Sequence, residues 1–258
     1  MNIARAIVPE QWTVHPFVKR LRTFIDLSDG DLGSLWRMVD AEQVIKKRRD
    51  LVIDGYEYRR LCFVETGFAA RYKLLRNGKR QIVNLVLPGD VIGLPGSFLE
   101  KARYSVVALT DLKLQVCAMN AYVDLCYRRP QFGLALSWLA VQESIACAEH
   151  AISTGRRTPI ERLAHFLMEI YSRLELVGHA SDQRFELKLS QEVMSDALGL
   201  SVPHLNRMLA QLRADGLVAT NGHTIELVNP EGLEQLGQFQ PLNLMRVPPP
   251  TPAALMAR

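Results

Sequence analysis

The chain has 258 residues, 48% of them hydrophobic and 22% charged, enough for one large domain or two modest ones. A formal charge of +4 leaves a polyanionic partner open without arguing for one, so any basic surface must come from where the charges sit. Four separated cysteines, Cys62, Cys117, Cys126 and Cys147, make no C-x-x-C pair; this points away from disulfides and cysteine metal sites, toward unreactive thiols in a reducing cytoplasm. The stretch MNIARAIVPEQW lacks the apolar core of a signal peptide, and no segment approaches the length of a membrane span. A cytoplasmic protein with no membrane partner is the expectation.

Early in the chain, Pro16 is placed to start a helix over FVKRLRTF, and Ser28 to cap another over DGDLGSLWRMV. From about residue 50 to 119 the character changes. Short runs of Val, Ile, Leu and aromatics alternate with turn signals at Gly55, Gly67, Asn77-Gly78 and Pro88-Gly89-Asp90. RLCFVETGFAARYKLLRNGKRQIVNLVL reads as three strands, with Asn77-Gly78 as the tight turn between the last two. Strands at this spacing predict an antiparallel roll or small barrel.

Pro130 opens a helix with no breaker before about Thr154. Along it Leu134, Trp138, Val141, Ile145, Ala148 and Ile152 are spaced 4, 3, 4, 3 and 4 apart, a heptad seam. Such a stripe can pair with a second copy across a two-fold axis, or it can pack on the roll. The second apolar set, Ala135, Leu136, Leu139 and Ala140, favours the first reading because it can meet the roll itself. Ser153-Thr154-Gly155 then reads as a hinge, and Thr158-Pro159-Ile160-Glu161 as a capping box opening the next helix. Its apolar face is Leu163, Phe166, Leu167, Ile170 and Leu174. A polar break from Gly178 to Gln183 precedes a short strand over Phe185 to Leu189.

The most informative segment is LSQEVMSDALGLSVPHLNRMLAQLRADGLV. Ser190 caps a helix whose buried side is Val193, Met194, Ala197 and Leu198. Gly199 makes the turn, Leu200 fills the angle, and Ser201 caps a second helix that tolerates Pro203 in its first turn. With Leu205, Met208, Leu209 and Leu212 inward, Val202, Pro203, His204, Asn206, Arg207 and Gln211 face outward. Such a face suits a helix laid in the major groove of DNA. Arg207 is the first candidate for a base edge, since a guanidinium pairs bidentately with guanine; His204 and Asn206 can reach bases or phosphates. Ser201 and Gln191 stand at helix starts, where phosphates bind. A hairpin follows, Leu217 to Thr220 and His223 to Leu227, whose Asn221, His223 and Thr224 would graze the phosphate backbone or simply close the turn.

In this order, the roll segment FVETGFAARYKLLRNGKRQIVNLVLPGDVIGL, the long helix and the helix–turn–helix resemble the bacterial Crp/Fnr family of transcription regulators over roughly residues 15 to 230. The resemblance implies an α+β chain in four parts: N-terminal helices and an antiparallel β-roll of the jelly-roll, cyclic-nucleotide-binding type (1–129), a dimerisation helix and hinge (130–155), a winged helix–turn–helix (156–230) and a tail (231–258). It implies a homodimer on a palindromic operator of double-stranded DNA, with RNA polymerase as a further partner. Arg207 falls where the family's recognition-helix arginine lies. Val202 and Pro203 stand where the nucleotide-responsive activator carries arginine and glutamate.

The effector pocket implied by the resemblance comprises Gly93, Leu94, Tyr104 and Ser105. Cyclic-AMP binders carry a glutamate after the glycine and an Arg-Ser pair further on; here those positions are Leu94, Tyr104 and Ser105, and Arg103 would point to the opposite face. A small effector other than cyclic AMP is the expectation, or control by protein level alone. Iron–sulfur relatives use N-terminal cysteines, whereas this chain has none before Cys62; His15 stays open as a haem ligand, and neither cofactor nor metal is otherwise called for. A module whose C-terminal helices bind protein rather than DNA is the alternative. An enzyme built on the roll is disfavoured, because residues 50–119 contain no histidine.

Overall fold

A computed structural model describes residues 8–78, 80–94, 96–242 and 246. Helices α1 (Glu10–Thr13), α2 (Pro16–Arg22) and α3 (Asp29–Met38) lead into strands β1 (Ala41–Ile45), β2 (Asp50–Val52), β3 (Arg60–Thr66), β4 (Ala69–Leu74), β5 (Arg80–Val86), β6 (Val91–Ile92), β7 (Ser105–Ala108) and β8 (Leu112–Ala118). Helices α4 (Met119–Arg128), α5 (Gln131–Gly155) and α6 (Pro159–Leu176) follow. Then come β9 (Ala180–Ser181), β10 (Arg184–Glu186), α7 (Gln191–Leu198), α8 (Val202–Ala214), β11 (Val218–Asn221), β12 (Thr224–Leu227) and α9 (Pro230–Gly237).

The roll is two four-stranded antiparallel sheets, ordered β1-β8-β3-β6 and β2-β7-β4-β5. Their inner faces bury Val52, Cys62, Val64, Val86, Ile92, Val106, Leu114 and Val116. The outer faces are covered as well. Leu61 and Phe63 of β3 meet α2, α3, α4 and the first half of α5, while Ala70, Ile82 and Leu85 of β4 and β5 join the core of the C-terminal module. Double coverage explains why β3 reads as a nearly unbroken apolar run instead of an alternating one. The predicted hairpin turn forms at Asn77-Gly78, with Gly78 at φ +77°.

Four details differ from the expectation. The sheets begin at β1, before residue 50; this edge strand is half open and leaves Val44 exposed, so it carries little apolar signal. Helix α4 has Ala118 before it and no capping side chain, so nothing in the sequence marks its start. The strand expected over 185–189 is shorter, Arg184–Glu186. Finally, α5 runs through Gly155 and breaks only at Arg156; the next residue, the buried Arg157, ties the joint down by donating to Ser153 Oγ at 2.7 Å and to the Glu149 carboxylate at 2.8 Å.

The C-terminal module extends past residue 230. Asn229 caps α9, and the end of α9 presses on α6 so closely that a Cβ on Gly237 would lie 2.5 Å from the backbone nitrogen of His165. The proline-rich stretch beyond Arg246 lies outside the described residues, as does the start of the chain through residue 7. Among the described residues no helix is long and apolar enough to cross a membrane.

Candidate nucleic-acid interface

Two independent helix starts build the C-terminal module. Ser190 Oγ accepts the Val193 amide to cap α7, and Gly199 ends that helix in the left-handed region at φ +64°. Leu205 and Leu212 anchor α8 in the core beside Ala197 and Leu198, with Leu200, Met208 and Leu209 packed at its margin. Pro203, Asn206, Arg207 and Gln211 are exposed on the opposite face, and His204 and Val202 are half-buried at its edge. Ser201 makes no capping hydrogen bond, so its hydroxyl remains available with the free first-turn amides of α8. Pro203 removes one of those amides.

The cations around this face differ in one respect. Arg184 pairs with Glu226, Lys188 with Glu186 and Arg80 with Asp196, and Arg213 donates to Thr220 Oγ1 at 3.2 Å. Arg207 makes no ion pair or hydrogen bond among the described residues. Its guanidinium is left for an external anion or base edge. Gln191, exposed at the first turn of α7, accepts from Asn206 Nδ2 at 3.0 Å. The hairpin β11–β12 turns at Asn221-Gly222, with Asn221 and His223 exposed and Thr224 half-buried at its tip. The His223 carbonyl accepts the Leu187 amide, and the Arg213 bond ties the hairpin to α8.

Outside the module, Leu134, Val141, Ile145, Ala148 and Ile152 form an exposed stripe along α5. Trp138 departs from the expected seam. It is 9% exposed and stacks on Phe24 at 4.7 Å inside the N-terminal core. At about 100° per residue it sits about 40° off Leu134 and Ile152, on the flank nearest Ala135 and Leu139, and the core takes it. Ala140, expected against the roll, is exposed instead.

The roll positions Gly93, Leu94, Tyr104 and Ser105 come together, but as packed structure. Gly93 has φ +112°, and a Cβ there would lie 2.2 Å from the Arg60 carbonyl oxygen. Tyr104 Oη donates to the Leu94 carbonyl at 3.0 Å, and Ser105 Oγ accepts the Asp54 amide at 3.0 Å. Arg103 is exposed, as its place one residue before Tyr104 implies. The residue not anticipated is Arg71 on β4. It is 4% exposed, lies 5.4 Å over the Tyr104 ring, donates to the Val91 carbonyl and pairs with Glu143 of α5. A Gly93→Ala variant is expected to lose at least about 2 kcal/mol of stability through backbone strain and overpacking. A melting temperature equal to wild type would show that the turn relaxes freely.

A cavity of about 370 Å³ lies where the roll, α5, α6 and the segment after α9 meet. Arg71, Asp90, Glu143 and Arg173 line it together with Leu139 and Phe239; of the four pocket positions expected, only Leu94 does. His15 is a structural residue. Its Nδ1 accepts the Phe17 amide to cap α2, Trp12 covers its ring at 4.7 Å, and burial, then Lys113 and His179, pushes its pKa down to about 3.

Comparison with known proteins agrees with this geometry. A cyclic nucleotide-binding domain model matches residues 42–127 and a Crp-like helix-turn-helix domain model matches 161–236. The nitrogen fixation regulation protein FixK of Bradyrhizobium diazoefficiens is 31% identical over 66% of this chain and 70% of its own length. The chain belongs to the Crp/Fnr family of transcription regulators. The transcriptional activator FnrL of Cereibacter sphaeroides is 32% identical over 62% of this chain, an alignment spanning 64% of FnrL. Among solved structures, FixK2 from Bradyrhizobium japonicum superposes with a TM-score of 0.68 at 29% identity, covering 76% of this chain and 96% of its own. In this Crp/Fnr protein α7 and α8 are therefore the helix–turn–helix, β11–β12 the wing, and α5 the long helix between roll and DNA module.

Proposed function

We propose that this Crp/Fnr regulator works as a homodimer, joined along the α5 stripe, on a palindromic operator. The carrying observation is the solvent face of α8, where Arg207 stands exposed with no partner of its own among the described residues. Pairing along α5 would set two α8 helices in successive major grooves, about 34 Å apart. Arg207 then takes a guanine edge, His204 and Gln211 contact the same groove, and Ser201 and the wing residues Asn221, His223 and Thr224 hold phosphates. The bound dimer meets RNA polymerase, in keeping with the activator names of the relatives.

Arg207→Ala is expected to weaken specific binding by about 1–3 kcal/mol, the worth of a bidentate base contact. Gel-shift titration on the selected operator reads it, and an unchanged Kd removes Arg207 from the role. Binding by wild type should also fall steeply with salt; a flat response would favour the alternative in which the C-terminal helices dock protein.

Cyclic AMP is not the effector in this reading. Arg60, Ser97 and Leu61 fill the space beside Gly93, Tyr104 is bonded to the Leu94 carbonyl, no carboxylate follows that glycine to receive a ribose, and Arg71 already spans from the roll to α5. Any small effector is assigned to the junction cavity, where it would touch roll, α5 and α6 at once. Calorimetric titration with cyclic AMP is expected to give no saturable heat, and a saturable isotherm overturns this point.

A further inference from the structure

Asn206 and Gln191 sit on different helices, fifteen positions apart, yet their side-chain amides meet at 3.0 Å. Both are exposed, so the bond adds little to stability; water would satisfy either group as well. Its consequence is orientation. Asn206 lies at the centre of the outward face of α8, with Pro203 one turn before it, Arg207 next to it and Ala210 one turn after, all exposed. Pro203 and Ala210 carry no polar side-chain atom, so the turns before and after Asn206 leave the base edge beneath it to that residue; Arg207 beside it is assigned the neighbouring guanine.

The hydrogen-bonding capacity of the two amides decides what they can read. One N–H of Asn206 is given to Gln191, leaving its second N–H and its carbonyl oxygen. That remaining pair, one donor beside one acceptor, matches N7 and the N6 amino group of adenine in the major groove. Guanine presents two acceptors there and would oppose the carbonyl oxygen. On Gln191 the carbonyl oxygen is turned to Asn206, which leaves its amino group as a donor at the exposed first turn of α7. A backbone phosphate is the ligand that suits it.

We infer that Asn206 reads an adenine in each half-site, and that Gln191 is its positioning residue, coupling a phosphate contact to that base contact. This rests on α8 being the recognition helix.

The test is selection of binding sites from a randomised duplex library with full-length protein. Wild type is expected to enrich a symmetric site with one guanine and one adenine specified in each half. Asn206→Ala should keep the guanine while its preference for adenine falls by about 10- to 100-fold, the equivalent of one bidentate contact. Gln191→Glu separates the two roles of Gln191. A carboxylate still accepts from Asn206, so adenine preference stays, but it repels the phosphate, so overall affinity falls and the salt slope drops by about one. Gln191→Ala should lose both. The retained guanine reports intact folding in every variant. The inference is overturned if Asn206→Ala selects the wild-type site unchanged, or if Gln191→Ala and Gln191→Glu behave alike. If wild type enriches no symmetric site, the recognition-helix reading itself fails, an outcome distinct from either of these.

Discussion

Replacing Val141 with glutamate is expected to leave the chain monomeric at micromolar concentration and to weaken binding to a full operator by about 100-fold or more. The reasoning starts from exposure. Val141 is 56% exposed, Leu134 52%, Ile152 46% and Ile145 38%, all on one face of a 25-residue helix. A side chain of this kind gains about 1.5–3 kcal/mol when fully buried, and a second copy of the same stripe would bury them together. A glutamate at the middle of such a seam would place two carboxylates opposite each other out of water, which costs more than the stripe can return. Once dimerisation is lost, each α8 binds a half-site alone. The second contact is then no longer held at high effective concentration, a loss of about 10²–10⁴ in avidity. Sedimentation and gel shifts on full and half operators measure both effects. Because Val141 touches solvent in the single chain, the monomeric variant should still fold and unfold cooperatively, melting below wild type only by what dimerisation contributes. A variant that still sediments as a dimer removes the stripe from the interface.

The DNA module was legible in the sequence because its signals are local. Ser190 and Gly199 mark helix ends by their own chemistry, and the capping box at Thr158 and Glu161 forms as the spacing requires; Ser201, expected to cap α8, precedes that helix without a side-chain capping bond. The hairpin at Asn77-Gly78 is legible for the same reason. What escaped were features set by tertiary contact. Trp138 satisfies the heptad spacing as well as Val141 does, and it is the N-terminal core, with Phe24 stacked on its ring, that takes it inward from the flank of the stripe. Arg71 looks like any strand arginine until Glu143, which follows it by more than seventy positions, is found against it. The pairing of Gln191 with Asn206 is likewise invisible to a pattern, since each residue alone reads as a polar surface position.

The same lesson applies to Asp90, a turn residue in the sequence and a junction in the fold. It is 8% exposed. One carboxylate oxygen pairs with Arg20 of α2; the other accepts from Arg173 of α6 and from the Leu87 amide at 2.8 Å. Arg20 also donates to Gln142 of α5 at 2.9 Å, and Arg173 to the Leu85 carbonyl at 3.0 Å and to Glu169 at 2.8 Å. One carboxylate therefore joins the N-terminal helices, the roll, the long helix and the DNA module.

Asp90→Asn keeps the shape of this junction and removes its charge, leaving two half-buried arginines facing each other. A cost of about 3–5 kcal/mol at neutral pH is expected, the usual penalty for breaking a buried ion pair from one side. The pH dependence has a definite sign. Burial alone would raise the pKa of Asp90, but Arg173, Arg20, the Leu87 amide and Arg71 outweigh it and hold the carboxyl below its ordinary value. A carboxyl with a depressed folded pKa stabilises fully above its unfolded pKa of about 3.9, and that contribution is lost as pH falls through the folded value. Wild type should therefore exceed Asp90→Asn in urea midpoint at pH 7, with the gap narrowing only at pH values below about 4. Equal midpoints at pH 7 would mean that the four units are held together by their apolar contacts alone, and that the ion network merely fills the space between them.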